Sequence, residues 1–185
     1  MRLAAVSYDG GGGVPVDEVF AGVARVLREG GVSLAGVLQW NDPLPARRRC
    51  SMTLEDLASG RRILASEDRG PHARGCHLDA GALEEAAVLA TASINAGTGF
   101  VIVNRFGKQE ALGRGCRQVI EGAILLDKPV LVGVSEKNQA AWEAFAGDDV
   151  TYLSPSVDAI LTWYSAVLVC QASFIPSRTH AIGAL

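Results

Sequence analysis

Leu3-Ala4-Ala5-Val6-Ser7-Tyr8-Asp9 opens the chain as an apolar run that stops at four consecutive glycines, Gly10, Gly11, Gly12 and Gly13. An amphipathic segment follows, with Val16, Val19, Phe20, Val23, Val26 and Leu27 at helical spacing. Strand, glycine turn and helix together form the setting in which backbone N–H groups cradle a phosphate. A hydrolytic loop of this kind ends in Gly-Lys-Ser/Thr, because the Lys reaches the outer phosphates and the hydroxyl holds Mg²⁺. Here no Lys or Arg lies between Arg2 and Arg25, and the first Lys of the chain is Lys108. The glycine amides are candidate anion ligands, but the groups needed for triphosphate hydrolysis are missing from this stretch.

Working outward, the predicted order alternates strands and helices. A first strand over 2–8 is followed by a helix from Pro15 to Glu29, with Pro in the first turn and Gly30-Gly31 past the end. Val32 to Trp40 reads as the second strand. Asp79 is placed to cap a helix over 80–95, and Phe100-Val101-Ile102-Val103 reads as a strand buried on both faces. A helix is expected over 107–127, a buried strand over 129–134, and helices over 138–146 and 156–170 flanking a short strand at 150–153. This alternation predicts an α/β fold with a parallel sheet covered by helices on both faces. Ligands in such sheets bind at the carboxyl ends of the strands. Three polar clusters fall at strand ends: Asp9 to Gly13, Asn104 to Glu110, and Ser135 to Lys137.

Residues 41–78 break the pattern. They contain Pro43, Pro45, Arg47-Arg48-Arg49, Gly60, Gly70, Pro71 and Gly75, and only Met52 to Leu57 and Ile63 to Ala65 carry strand or hairpin character. A polar segment of this length inside one domain reads as an insert or lid. It is expected to fold over the glycine loop and bring Arg69, Arg74 or Cys76 toward a ligand.

Composition bounds the partners. The 185 residues are 49% hydrophobic and 20% charged, which suits a single globular domain spanning 1–185. A net charge of -3 gives no reason to expect a nucleic-acid partner. No apolar run reaches the length of a membrane span, and no signal-peptide pattern opens the chain, so a cytoplasmic location is expected. Cys50, Cys76, Cys116 and Cys170 form no CxxC unit, so no metal site is expected from their spacing. Cys76, near the start of the Asp79-capped helix, is the cysteine placed for a lowered pKa, whereas Cys116 suits the core.

The stretch Asn104-Arg105-Phe106-Gly107-Lys108-Gln109-Glu110 resembles the Asp-Glu-Ile-Gly-x-Met-Glu segment of the small nucleoside triphosphatases first described from thermophiles. The resemblance implies a fold like that of the P-loop nucleoside triphosphatases, here with a degenerate phosphate loop. It puts Asn104 where those proteins hold an Mg²⁺-organising Asp and Arg105 where they hold the catalytic Glu, while Gly107 and Glu110 match. A second and longer resemblance, over about residues 3–165, is to a bacterial domain family often encoded beside molybdate-transport genes. It rests on Asp68-Arg69-Gly70, Arg74-Gly75-Cys76-His77-Leu78-Asp79, the Asn104 to Glu110 stretch and Gly113-Arg114-Gly115.

Asn brings no charge to Mg²⁺, and Arg cannot accept a proton from water. What remains is a donor-rich cleft: the glycine amides with Asn104, Arg105, Lys108 and Arg114, joined by Arg69, Arg74 and Cys76 of the insert. The expected function is binding of a small anion, an oxyanion or nucleotide, without hydrolysis, with no cofactor assigned. The molybdate association of the second family makes oxyanion homeostasis the natural setting. The alternatives are an active nucleoside triphosphatase using Glu110 as base and Lys108 for the missing loop Lys, and a regulatory partner of a transport ATPase. A homo-oligomer or that ATPase are the protein partners expected.

Overall fold

The computed structural model describes residues 2–9, 15–42, 51–67 and 77–172. In chain order the elements are β1 (Leu3–Tyr8), α1 (Val16–Glu29), β2 (Leu34–Asp42), β3 (Ser51–Asp56), β4 (Arg62–Leu64), β5 (Ser66–Glu67), β6 (His77–Leu78) and α2 (Ala80–Ser93). Then come β7 (Phe100–Phe106), α3 (Lys108–Ala111), α4 (Arg117–Leu125), β8 (Val130–Ser135), α5 (Gln139–Ala146), β9 (Thr151–Tyr152) and α6 (Val157–Ala172). The main sheet runs β4-β3-β2-β7-β8-β1-β9. The five strands from β2 to β9 in that order are mutually parallel. β3 and β4 extend the sheet antiparallel beyond β2, so the sheet is mixed at one edge.

Parallel central strands are buried on both faces, which is why β1, β7 and β8 read as continuous apolar runs. Alternate side chains feed two cores. On one face Ala4, Val6, Phe100, Ile102 and Leu131 pack against Phe20 and Val23 of α1 and Ile160 and Tyr164 of α6. On the other, Val101, Val103, Val130 and Val132 pack against Ala86 of α2, Ile120 of α4 and Trp142 of α5. Phe100 meets Tyr164 edge-on at 4.8 Å between ring centroids, and Phe106 meets Trp142 at 5.2 Å. Each fully buried side chain of this size contributes about 1.5–3 kcal/mol. The parallel order brings the carboxyl ends of β1, β7 and β8 to one edge.

Three expectations change. The helix expected over 107–127 is two helices, because Gly113 (φ 80°) and Gly115 (φ 57°) adopt left-handed backbone between them. A Cβ at Gly115 would lie 2.5 Å from Glu110 Oε1 and 2.8 Å from Leu83 Cδ2, so the break is packed and not loose. The strand expected to stop at Val103 runs on to Phe106. Part of the 41–78 segment is sheet: β3 and β4 belong to the main sheet, and Leu54, Leu57, Ile63 and Ala65 are buried in the two cores. β5 and β6 pair separately. Asp79 caps α2 as expected, accepting from the amides of Gly81 at 2.7 Å and Ala82 at 3.2 Å.

Candidate functional site

Strand pleating sends neighbouring side chains to opposite faces. Asn104 and Arg105 are neighbours, yet both reach the same carboxylate. The pairing of β7 with β8 explains this, for its register shifts between Val103 and Phe106. Such bulges re-aim side chains beside functional sites.

The carboxylate is that of Asp17, in the first turn of α1 just beyond the glycine run. Asn104 Nδ2 donates to Asp17 Oδ1 at 2.9 Å, and Asn41 Nδ2 donates to Oδ2 at 2.7 Å. Arg105 Nη2 donates to both oxygens, at 3.1 and 2.9 Å. The Arg105 guanidinium also lies 5.8 Å from the Tyr8 ring centroid. Burial pushes the Tyr8 phenol up, partly offset by the Arg105 charge, so Tyr8 stays neutral beside the pair. Asp17 thus stands in the turn where a hydrolytic loop carries its Lys and hydroxyl. An acid there also complements the helix N-terminus.

The network is not fully satisfied. Asn104 is buried, and among the described residues no donor reaches its Oδ1 and no acceptor reaches the buried Arg105 Nε. The donor set does not fit Mg²⁺ bound in the usual mode. That ion needs several carboxylate or phosphate oxygens, and Asp17, the carboxylate at hand, is already engaged by a guanidinium and two amides. No group of three His, Cys, Asp or Glu side chains is placed to hold a metal among the described residues.

Glu110, the base in the triphosphatase alternative, accepts from backbone amides. Its Oε2 accepts from the Gly107 amide at 2.9 Å and its Oε1 from the Cys116 amide at 2.9 Å. Glu84 of α2 accepts from the Gly115 amide at 2.7 Å. The two acids pin the α3–α4 corner through backbone donors. Burial drives the Glu110 carboxyl up against the opposing pull of those amides. Cys116 is fully enclosed here; burial and the nearby Glu110 push its thiol well up, which keeps it a thiol. Lys108 and Arg114 are exposed and make no ion pair among the described residues.

A cavity of about 350 Å³ opens beside the corner. Val37 and Gln39 of β2, Met52 and Leu54 of β3, Leu83 of α2 and Lys108 line it together with Asn104, Arg105, Glu110 and Cys116. Of the residues expected to bind a ligand, Asn104, Arg105 and Lys108 therefore meet at one cavity, while Arg114 does not line it. Gly10 to Gly13, Arg69, Arg74 and Cys76 lie outside the described residues, as does the expected contact of the lid with the glycine loop. Asp17 and Gln39 were not legible as site residues: an acid in a first helical turn and a Gln in a strand are both ordinary.

Residues 3–163 match the family described as a protein of unknown function, DUF2478, and the chain belongs to that family. Over 149 residues, 80% of its length, the chain is 34% identical to a Bradyrhizobium diazoefficiens protein named molybdenum import ATP-binding protein ModC 2. The chain spans only 17% of that protein. Its fold is similar to the solution structure of a human cancer-related nucleoside triphosphatase, with a TM-score of 0.59 and 19% identity over 95% of this chain and 100% of the other. It is also similar to the crystal structure of THEP1 from the hyperthermophile Aquifex aeolicus, with a TM-score of 0.58 and 14% identity over 92% of this chain and 98% of the other. The fold is that of the small P-loop nucleoside triphosphatases. Among the described residues no helix is long and apolar enough to cross a membrane.

Proposed function

We propose that this chain is a nucleotide- or small-anion-binding domain that does not hydrolyse its ligand and that serves molybdenum import. The observation that carries this reading is the Asp17–Arg105 pair. A negative group sits in the turn where phosphate charge would be neutralised, and a positive group sits on the strand end where a base would be needed. Arg105 cannot take a proton from water, and Asp17 repels a phosphate placed on the loop amides. The fold supports a phosphate-sized ligand at this edge, and Arg105 and Lys108 are the side chains suited to hold it. Asp17 acts as an internal substitute for that anion, so binding requires Arg105 to exchange one carboxylate for another oxyanion.

Phosphate release from ATP and GTP with Mg²⁺ tests the hydrolytic half. Turnover should stay below about 0.1 s⁻¹, low against typical enzymes. Faster turnover that disappears in Glu110→Gln would support an active triphosphatase instead.

A second reading is favoured by the Bradyrhizobium relative, in which a stretch like this chain is one part of a much longer ATP-binding protein. In that reading the domain regulates a molybdenum import ATPase. Adding the pure chain to such an ATPase should change its ATP turnover at micromolar concentration; an unchanged rate across a saturating range speaks against it.

A further inference from the structure

The proposed anion site and the cavity share residues. Asn104 and Arg105 hold the Asp17 carboxylate and also line the cavity, with Lys108 exposed beside them. Val37, Met52, Leu54, Leu78 and Leu83 bring hydrocarbon to the same wall. Leu54 and Leu83 are core residues carried by β3 and α2, so this apolar surface is set by the fold and needs no ligand to assemble it.

Size speaks against a bare inorganic ion as the occupant. The cavity measures about 350 Å³. A tetrahedral oxyanion, roughly the bulk of two to three waters at about 30 Å³ each, would leave most of it unfilled. Hydrocarbon walls gain from an apolar guest. Charge points the same way. Glu110 lies on the wall with both carboxylate oxygens engaged by backbone amides, and a second negative group beside it would be repelled. Arg105 and Lys108 are where a ligand's negative charge belongs, so the part that reaches past them toward the hydrocarbon is uncharged. Arg105 also has a donor in reserve. Its Nη2 serves Asp17, while its buried Nε finds no acceptor among the described residues. Turning the guanidinium from Asp17 to a ligand oxyanion gives both nitrogens an acceptor.

We infer that the ligand of the anion site is an organic oxyanion with an apolar, ring-sized body, of the aryl phosphate kind, and not a free inorganic oxyanion. Its oxyanion meets Arg105 and Lys108, and its body lies against Met52, Leu54 and Leu83. This ligand class rests on the proposed reading, in which Arg105 gives up Asp17 for an oxyanion.

Three probes with the same head and different bodies test it: inorganic phosphate, glycerol 3-phosphate and phenyl phosphate, each titrated into the native chain by calorimetry. Phenyl phosphate should bind at least about tenfold more tightly than inorganic phosphate, and glycerol 3-phosphate within about threefold of it. Where Asp17 keeps phosphate binding below detection, the same comparison in Asp17→Asn decides. Met52→Trp, which fills the cavity, should bring phenyl phosphate down to the affinity of inorganic phosphate and leave the latter unchanged. Met1 and Met52 are the two methionines of the chain, so ¹³C-methyl labelling reads the cavity in the native protein as well, and phenyl phosphate should shift the Met52 signal saturably. Equal affinity for phenyl and inorganic phosphate, a glycerol 3-phosphate as tight as phenyl phosphate, or a Met52 signal unmoved by phenyl phosphate would overturn the ligand class and leave the anion site standing. Binding of none of the three, in the native chain and in Asp17→Asn alike, would overturn both.

Discussion

Two buried or half-buried carboxylates stand within one stretch of sheet edge, and their partners set their roles. Glu110 is held by backbone amides, those of Gly107 and Cys116. Among the described residues Asp17 is held by side chains: Arg105, Asn104 and Asn41. Backbone donors cannot leave without unfolding the corner that carries them, so Glu110 is part of the fold. Side-chain donors can turn to another acceptor, so Asp17 is exchangeable. On the proposed reading the same residue chemistry serves structure at α3–α4 and an anion seat at α1, and the donors decide which.

The largest effect follows from the fixed member. Glu110→Ala leaves two buried amides without an acceptor in a corner where Gly115 permits no other side chain. Charge-assisted bonds of this kind contribute about 1.5–3 kcal/mol each, part of which offsets the cost of burying the acid. Urea unfolding should show a loss of about 2–3 kcal/mol; a loss below 1 kcal/mol would mean that the corner does not depend on Glu110.

A smaller effect separates Glu110 from an ordinary surface acid. Burial raises its folded-state pKa above the unfolded value. A group raised in this way stabilises the fold fully below its unfolded pKa, and that contribution is lost as pH rises through the folded pKa. The stability advantage of the native chain over Glu110→Gln should therefore be greater near pH ~4 than near pH ~7. An advantage that grows toward pH ~7 would contradict the burial argument.

The smallest effect belongs to the exchangeable member. The Arg105 side chain is 40% exposed and that of Asp17 19%, so solvent screens the pair and its contribution is modest. Asp17→Asn should change unfolding stability by less than about 1 kcal/mol. A loss matching that of Glu110→Ala would make Asp17 structural and erase the contrast.

Much of the fold was legible because apolar period and burial coincide. β1, β8, α1 and α2 follow their spacing to within a residue or two, and Asp79 announces its cap by type and place. The α3–α4 break was hidden because the apolar pattern continues on both sides of it; only the pair Gly113 and Gly115 marks it, and glycines in a helical pattern are often tolerated. The end of β7 was hidden for another reason. Asn104 and Arg105 look like a loop by composition, yet Asp17 supplies from 87 residues away the partner that lets Asn104 be buried in a strand. A contact at that separation leaves no local trace. That no Lys or Arg lies between Arg2 and Arg25 was readable in the sequence, whereas the Asp17–Arg105 pair became visible only when α1 and β7 came together. The cavity was equally hidden, since it is assembled from β2, β3, α2 and the β7–α3 turn.

Titration of inorganic phosphate into the native chain and into Asp17→Asn, followed by calorimetry, tests most directly whether Asp17 occupies the anion seat. If it does, the uncharged variant frees Arg105 and binds phosphate at least about tenfold more tightly, a gain of about 1.4 kcal/mol, while Asp17→Asn with Arg105→Ala loses that gain. Equal or weaker binding by Asp17→Asn would contradict the account.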